Sequence, residues 1–119
     1  LPLVTRPKLV IPDIQSGGVV GYDGGKYYPH HNVYWVTSGG WNLRALQALL
    51  RSSLVLEQVR AHSVQMRGGA LRYQAQVLRK LRLPSCESLS RDLTARLAKA
   101  AGTINQAKLD VLAEEAFAL

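Results

Sequence analysis

The chain has 119 residues, 47% of them apolar, and a formal net charge of +7 at neutral pH. That is enough chain for a single domain over 1–119 with a core of its own, and the apolar content excludes a disordered polyelectrolyte. Apolar runs reach only four residues, as at Val33–Val36, so nothing reads as a membrane-crossing helix. The lone cysteine, Cys86, rules out an internal disulfide and fits a reducing, cytoplasmic setting.

In chain order, Lys8–Ile11 is a short β-branched run closed by Pro12-Asp13. It reads as a strand at a sheet edge, or as one ending at the proline, because proline removes a ladder donor. Gly17-Gly18 reads as a turn, Val19–Tyr22 as a second strand and Asp23-Gly24-Gly25 as a hairpin-type turn. Lys26–Tyr28 and Asn32–Thr37 read as strands interrupted by Pro29, and Val33–Val36 favours a pleated, half-buried surface. These segments predict a small, mainly antiparallel sheet. Asn42 is placed as an N-cap. From Leu43 to about Ala61, Leu43, Leu46, Leu50 and Leu54 recur at helical spacing, with Arg44, Gln47, Arg51 and Gln58 opposite. That pattern predicts one long packing helix across the sheet, about 30 Å at ~1.5 Å per residue.

Further on, Pro84 stops the chain and Ser85 is placed to cap a new helix. Leu89, Leu93 and Leu97 lie four apart, and Asp92 and Arg96 form an i,i+4 pair. Gly102 breaks that helix, Thr103 with Gln106 has the pattern of a capping box, and Leu109, Leu112, Ala113 and Ala116 supply a second apolar stripe. Cys86–Leu119 therefore reads as a C-terminal helical hairpin, and the predicted class is α+β.

Between long helix and hairpin lies Ser63–Pro84, which holds five Arg and Lys and no acid. Residues 1–82 carry eleven basic and three acidic side chains, and residues 83–119 carry four and five, so the positive charge belongs to the first part. That asymmetry predicts a charged working surface joined to a structural remainder; the plain alternative is a basic protein with solvated arginines. Gly68 and Gly69 sit between Arg67 and Arg72. Glycines adopt positive φ, let a backbone approach a ligand and can aim successive N–H groups at an anion. Gln74 and Gln76 follow, and then Arg79, Lys80 and Arg82 alternate with Leu78, Leu81 and Leu83. Arg and Gln make paired hydrogen bonds to purine edges. The stretch points to a polyanion, with nucleic acid as the first candidate.

Arg67-Gly68-Gly69, Leu71-Arg72-Tyr73-Gln74 and Leu78–Pro84 together resemble the C-terminal target-recognition region of adenine-specific DNA methyltransferases from restriction–modification systems. Lys8–Ile14, Tyr28–Tyr34, Leu43–Leu50 and Leu109–Leu119 carry the resemblance in the same order along nearly the whole chain. It implies duplex DNA as partner, with a catalytic methyltransferase domain of the same polypeptide, and S-adenosylmethionine as cofactor of that parent enzyme. The family's Gly-rich cofactor loop and Asn-Pro-Pro-aromatic motif are absent, so no catalytic residues carry over and none of the chain's own is expected to hold a cofactor. The start at Leu1 in place of Met fits a piece of a longer protein. On this reading Arg67 and Arg72 meet bases or phosphates, the N–H groups of Gly68 and Gly69 face a phosphate, Gln74 and Gln76 meet base edges, and Lys26, Arg44 and Arg79 attract phosphates.

Each of these residues also has a plainer role. Gly68-Gly69 can be a turn and no more, the glutamines a solvated face, and Tyr73, Leu78, Leu81, Leu83, Trp35 and Trp41 core. Other chemistries have weaker support. His30, His31 and His62 with Cys86 match no zinc spacing. Ser63, His62 and Asp13 sit in no nucleophile-elbow context, and Gly68-Gly69 is not followed by the Gly-Lys-Ser/Thr of a P-loop. Two other function classes stay open: a protein-interaction module docking through the hairpin, and an RNA-binding domain stacking bases on Tyr27, Tyr28 and Tyr34.

Overall fold

The computed structural model describes residues 6–26, 33–37, 40–64 and 66–118, without the side chains of Val33, Trp35 and Arg67. The predicted strand around Lys26–Tyr28 falls mostly outside them. Strand β1 (Lys8–Pro12) buries Leu9 and Ile11. It is flanked on one side by β3 (Gly21–Asp23) and on the other by β4 (Val33–Val36), both antiparallel, with Leu9 opposite Tyr22 and Val36. So β1 is the central strand, not an edge. Pro12 is tolerated because its missing donor falls at the strand's last residue. Asp23-Gly24-Gly25 does form a turn, in which the Asp23 carboxylate accepts from the Gly25 and Lys26 N–H groups. The next strand described after that turn, β4, pairs with β1 as β3 does. A second, two-stranded sheet joins β2 (Ile14–Gln15) to β5 (Leu71–Arg72).

The predicted long helix is two helices, α1 (Leu43–Leu50) and α2 (Ser53–His62), broken at Arg51-Ser52. Asn42 caps α1 as expected, its Oδ1 accepting from Ala45 N. The leucine spacing runs across the break, so periodicity alone does not mark it. Ser52 does: fully buried, its hydroxyl donates to Leu49 O at 2.6 Å and caps α2. Short hydroxyl side chains compete for backbone groups in this way. The break is also held from outside, because Asp110 accepts from both Ser53 N and Ser53 Oγ, at 2.9 and 2.8 Å. Gln106 Nε2 donates to Arg51 O, and the Arg51 guanidinium donates to Ala101 O.

The C-terminal hairpin forms from α4 (Arg91–Ala100) and α5 (Gln106–Ala116). Its caps differ from the predicted ones by a few residues. Ser85 caps a 3-10 turn at Cys86–Ser88 and Ser90 caps α4. The N-cap of α5 is Asn105, not Thr103, because Gln106 is drawn away to Arg51 O and Asp110. Arg96 joins Asp92 on its own helix and also reaches Glu115 across the hairpin.

Helix α1 is the wall between two apolar clusters. Ala45, Ala48 and Leu49 face Leu93, Leu97, Leu109 and Leu112 of the hairpin. Leu46 and Leu50 face Leu9, Ile11, Val55, Val59, Leu71, Tyr73 and Val77. Each fully buried leucine contributes roughly 1.5–3 kcal/mol. Every residue of α1 from Ala45 to Leu50 is buried, which leaves Arg44 on its exposed side.

Candidate nucleic-acid interface

The acid-free stretch is not one element. It runs through a 3-10 turn (Arg67–Gly69), β5, the short helix α3 (Ala75–Leu78) and an irregular segment to Pro84. In the turn, Gly68 and Gly69 have φ of +82° and +83°, a conformation that favours glycine. Both are exposed, and a side chain at Gly68 would meet nothing within 4 Å. The Gly69 N–H donates to Met66 O at 3.0 Å, so offering it to a phosphate requires breaking that bond. Only the Gly68 half of the expected glycine pair stands apart from it. The Arg67 side chain lies outside the described atoms.

Arg72 is held by Asp13. Its Nη2 donates to Oδ2 at 2.8 Å and its Nε to Oδ1 at 3.3 Å. The hydrogen bond to Asp13 holds the guanidinium's pKa above its ordinary value. The Arg72 N–H donates to Ser63 Oγ, which pins β5 to the end of α2. Tyr73 is core: it is 2% exposed, and burial pushes its pKa up while its hydroxyl accepts from Gly18 N. Gln74 precedes α3 half-buried, and Gln76 on α3 is exposed and donates to the Gln74 side-chain oxygen at 3.3 Å. Arg79 ends α3 with its side chain exposed.

Lys26 and Arg44 belong to another part of the surface. The Lys26 backbone is fixed by Asp23 at the end of β3, and the Arg44 guanidinium lies over the Tyr22 ring at 4.6 Å. The expected contact residues therefore form two groups, one around β5 and α3 and one around β3. Trp41 packs against both apolar clusters, while the Trp35 side chain is not described.

Two features were not foreseen. Asp13 is the partner of Arg72 across 59 positions, and no local pattern announces it. Gln58 on α2 forms a two-point clasp on Arg82, its Nε2 donating to Arg82 O at 2.9 Å and its Oε1 accepting from Arg82 N at 2.6 Å. Beside the clasp lies an open groove of about 460 Å³, lined by Gln58, His62, Lys80, Arg82, Leu83 and Phe117 among others, with no acid. Among the described residues no cluster of His, Cys, Asp and Glu is arranged to hold a metal, and no helix is long and apolar enough to cross a membrane. His30 and His31 lie outside those residues, as do Tyr27 and Tyr28.

The chain is thus an α+β protein whose acid-free stretch contributes a strand to the second sheet and carries exposed cations at Arg79, Lys80 and Arg82. No family model matches it. It is similar to the Type II methyltransferase M.BstVI of Geobacillus stearothermophilus, 42% identical over 117 residues, which is 98% of this chain and 21% of that protein. It is 48% identical over 99 residues to the Type II methyltransferase M.PaeR7I of Pseudomonas aeruginosa, covering 83% of this chain and 17% of that protein. The Type II methyltransferase M.XhoI of Xanthomonas vasicola is 46% identical over 99 residues, with 83% and 18% covered. The chain is a homologue of part of the Type II methyltransferases of restriction–modification systems, and it spans about a fifth of the length of the curated relatives it matches.

Proposed function

We propose that the chain is the target-recognition part of an adenine-specific DNA methyltransferase and binds duplex DNA sequence-specifically. It would hold the duplex so that a catalytic part of the same polypeptide can draw an adenine out of the stack. The observation that carries this reading is similarity to named methyltransferases across 98% of the chain, in a protein whose most basic stretch contains no acid. The Arg-Gly-Gly turn, Arg72, Gln74 and Gln76 are its candidates for base contact. Lys26, Arg44 and Arg79 are its candidates for phosphate attraction.

The chain itself is non-catalytic on this reading, and S-adenosylmethionine belongs to the rest of the enzyme. What supports this reading is a glycine turn that is packed shut. The Gly17-Gly18 turn backs onto Leu56, whose Cδ1 would lie 2.5 Å from a Cβ at Gly17, so this glycine serves close packing rather than an open cradle. No Asn-Pro-Pro motif occurs in the chain.

Competition separates the readings. Labelled duplex bound to the chain is challenged with unlabelled duplex of one selected sequence, scrambled duplex, and RNA of equal length. Displacement by the selected duplex at concentrations where the others fail is expected. Equal displacement by all three overturns the reading. Calorimetry with S-adenosylmethionine is expected to give no saturable heat.

A further inference from the structure

Four ion pairs are present among the described residues, and they occupy Lys8, Arg72 and Arg96. None engages the cations that follow α3. Lys80 and Arg82 are exposed and line the groove with His62 from the last turn of α2. We propose that this groove seats the phosphodiester backbone of duplex DNA, with Lys80, Arg82 and His62 as phosphate contacts and Gln58 as the residue that positions Arg82. The inference rests on the DNA-binding reading above and adds to its contact candidates a groove, with Lys80, Arg82 and His62 in it.

Three observations support it. First, the Gln58 carboxamide satisfies both the N–H and the C=O of Arg82, so the backbone is anchored while the guanidinium projects from a fixed base. Anchoring before binding removes part of the ordering cost that a flexible loop would incur. Second, Leu83 and Phe117 contribute apolar lining to the groove, beside which charge–phosphate attraction is screened less than in open water. Third, the groove adjoins the Arg72 segment, because Ser63, next to His62, accepts from Arg72 N. A backbone seated here would pass the element that carries the base-contact candidates. The partial negative charge at the C-terminal end of α2 opposes an anion, and Arg60 in that last turn offsets it.

The test is fluorescence anisotropy of the chain with a short mixed-sequence duplex over a series of salt concentrations. The variants are Lys80→Gln/Arg82→Gln, His62→Ala and Gln58→Ala. Lys99→Gln/Lys108→Gln removes the same charge from the hairpin as a control. Circular dichroism confirms that each is folded. The groove double variant is expected to lose about tenfold or more in affinity at low salt, with the salt slope reduced by about two. The control is expected to stay within about twofold. His62→Ala should weaken binding, and Gln58→Ala should weaken it without changing the slope. Equal behaviour of groove variant and control overturns the groove while leaving DNA binding intact. Failure of the wild-type chain to bind duplex at low salt overturns the DNA-binding reading itself.

Discussion

The Arg72 guanidinium closes on the Asp13 carboxylate with two hydrogen bonds, at 2.8 and 3.3 Å, and so ties β5 to the residue that follows β1. The pair sits beside the antiparallel register of Ile14 with Arg72, and Tyr73 N donates to Asp13 O one residue further on. Asp13 thus serves the second sheet with both backbone and side chain. A bidentate fork of this kind fixes direction as well as charge. Any contact Arg72 makes with DNA is made by a guanidinium whose orientation Asp13 sets.

That coupling is measurable. Arg72→Ala and Asp13→Asn should each lower the melting temperature, and the double variant should lower it by less than the sum of the two. Strict additivity in thermal melts would show that the pair contributes nothing to the fold and that Arg72 is at liberty to swing.

Base reading and phosphate attraction predict different losses. Arg72→Ala and Gln74→Ala should relax the preferred sequence at one position and weaken the cognate site about tenfold. Arg79→Ala should weaken all sequences alike and lower the salt slope by about one. Selection from a randomised duplex library at two salt concentrations reads both quantities. Unchanged preference and affinity in the first two variants would make the Arg-Gly-Gly segment a structural turn and move base reading to the segment around Lys26–Asn32.

Acid should weaken the contact that holds the α1–α2 break. Burial pushes the Asp110 carboxyl up, but hydrogen bonds from Ser53 N, Gln106 and Ser53 Oγ outweigh it and hold the pKa below its ordinary 3.8. A group whose pKa is depressed by folding stabilises the fold above its unfolded pKa and loses that contribution as pH falls through the folded one. Wild type should therefore melt above Asp110→Asn near neutral pH, with the gap closing below about pH 4. A gap that persists unchanged into strong acid would remove the carboxylate's charge from the explanation.

The hairpin should behave as core. Leu97 is fully buried against α1 and α5, so Leu97→Ala should cost about 2–5 kcal/mol in chemical denaturation. A loss below about 0.5 kcal/mol would contradict that packing.

Much of the local structure was legible in the residues. Leu93 and Leu97, then Leu109, Leu112 and Ala113, follow helical spacing, and the same positions are buried. Asn42 caps the helix that it precedes, and the β-branched run at Lys8–Pro12 is a strand. These features depend on neighbours three or four positions away, which any reader of the chain can see. The Arg72 candidate was visible as a charge, but its restraint by Asp13 was not.

What the sequence by itself determined about this protein is its α+β class, the apolar faces of its hairpin and the confinement of its positive charge to one part of the chain. Each follows from side-chain type at short range: apolar spacing sets which face is buried, and charge stays wherever the acids are missing. Tertiary structure locked the break that Ser52 makes locally in the leucine-periodic stretch, since Asp110 holds Ser53 from 57 positions away. It alone made β1 central, because a strand's neighbours are chosen by the closing of loops rather than by its own residues. And it alone brought Gln58 onto Arg82, 24 positions on, leaving the cations after α3 with a fixed backbone and an open face.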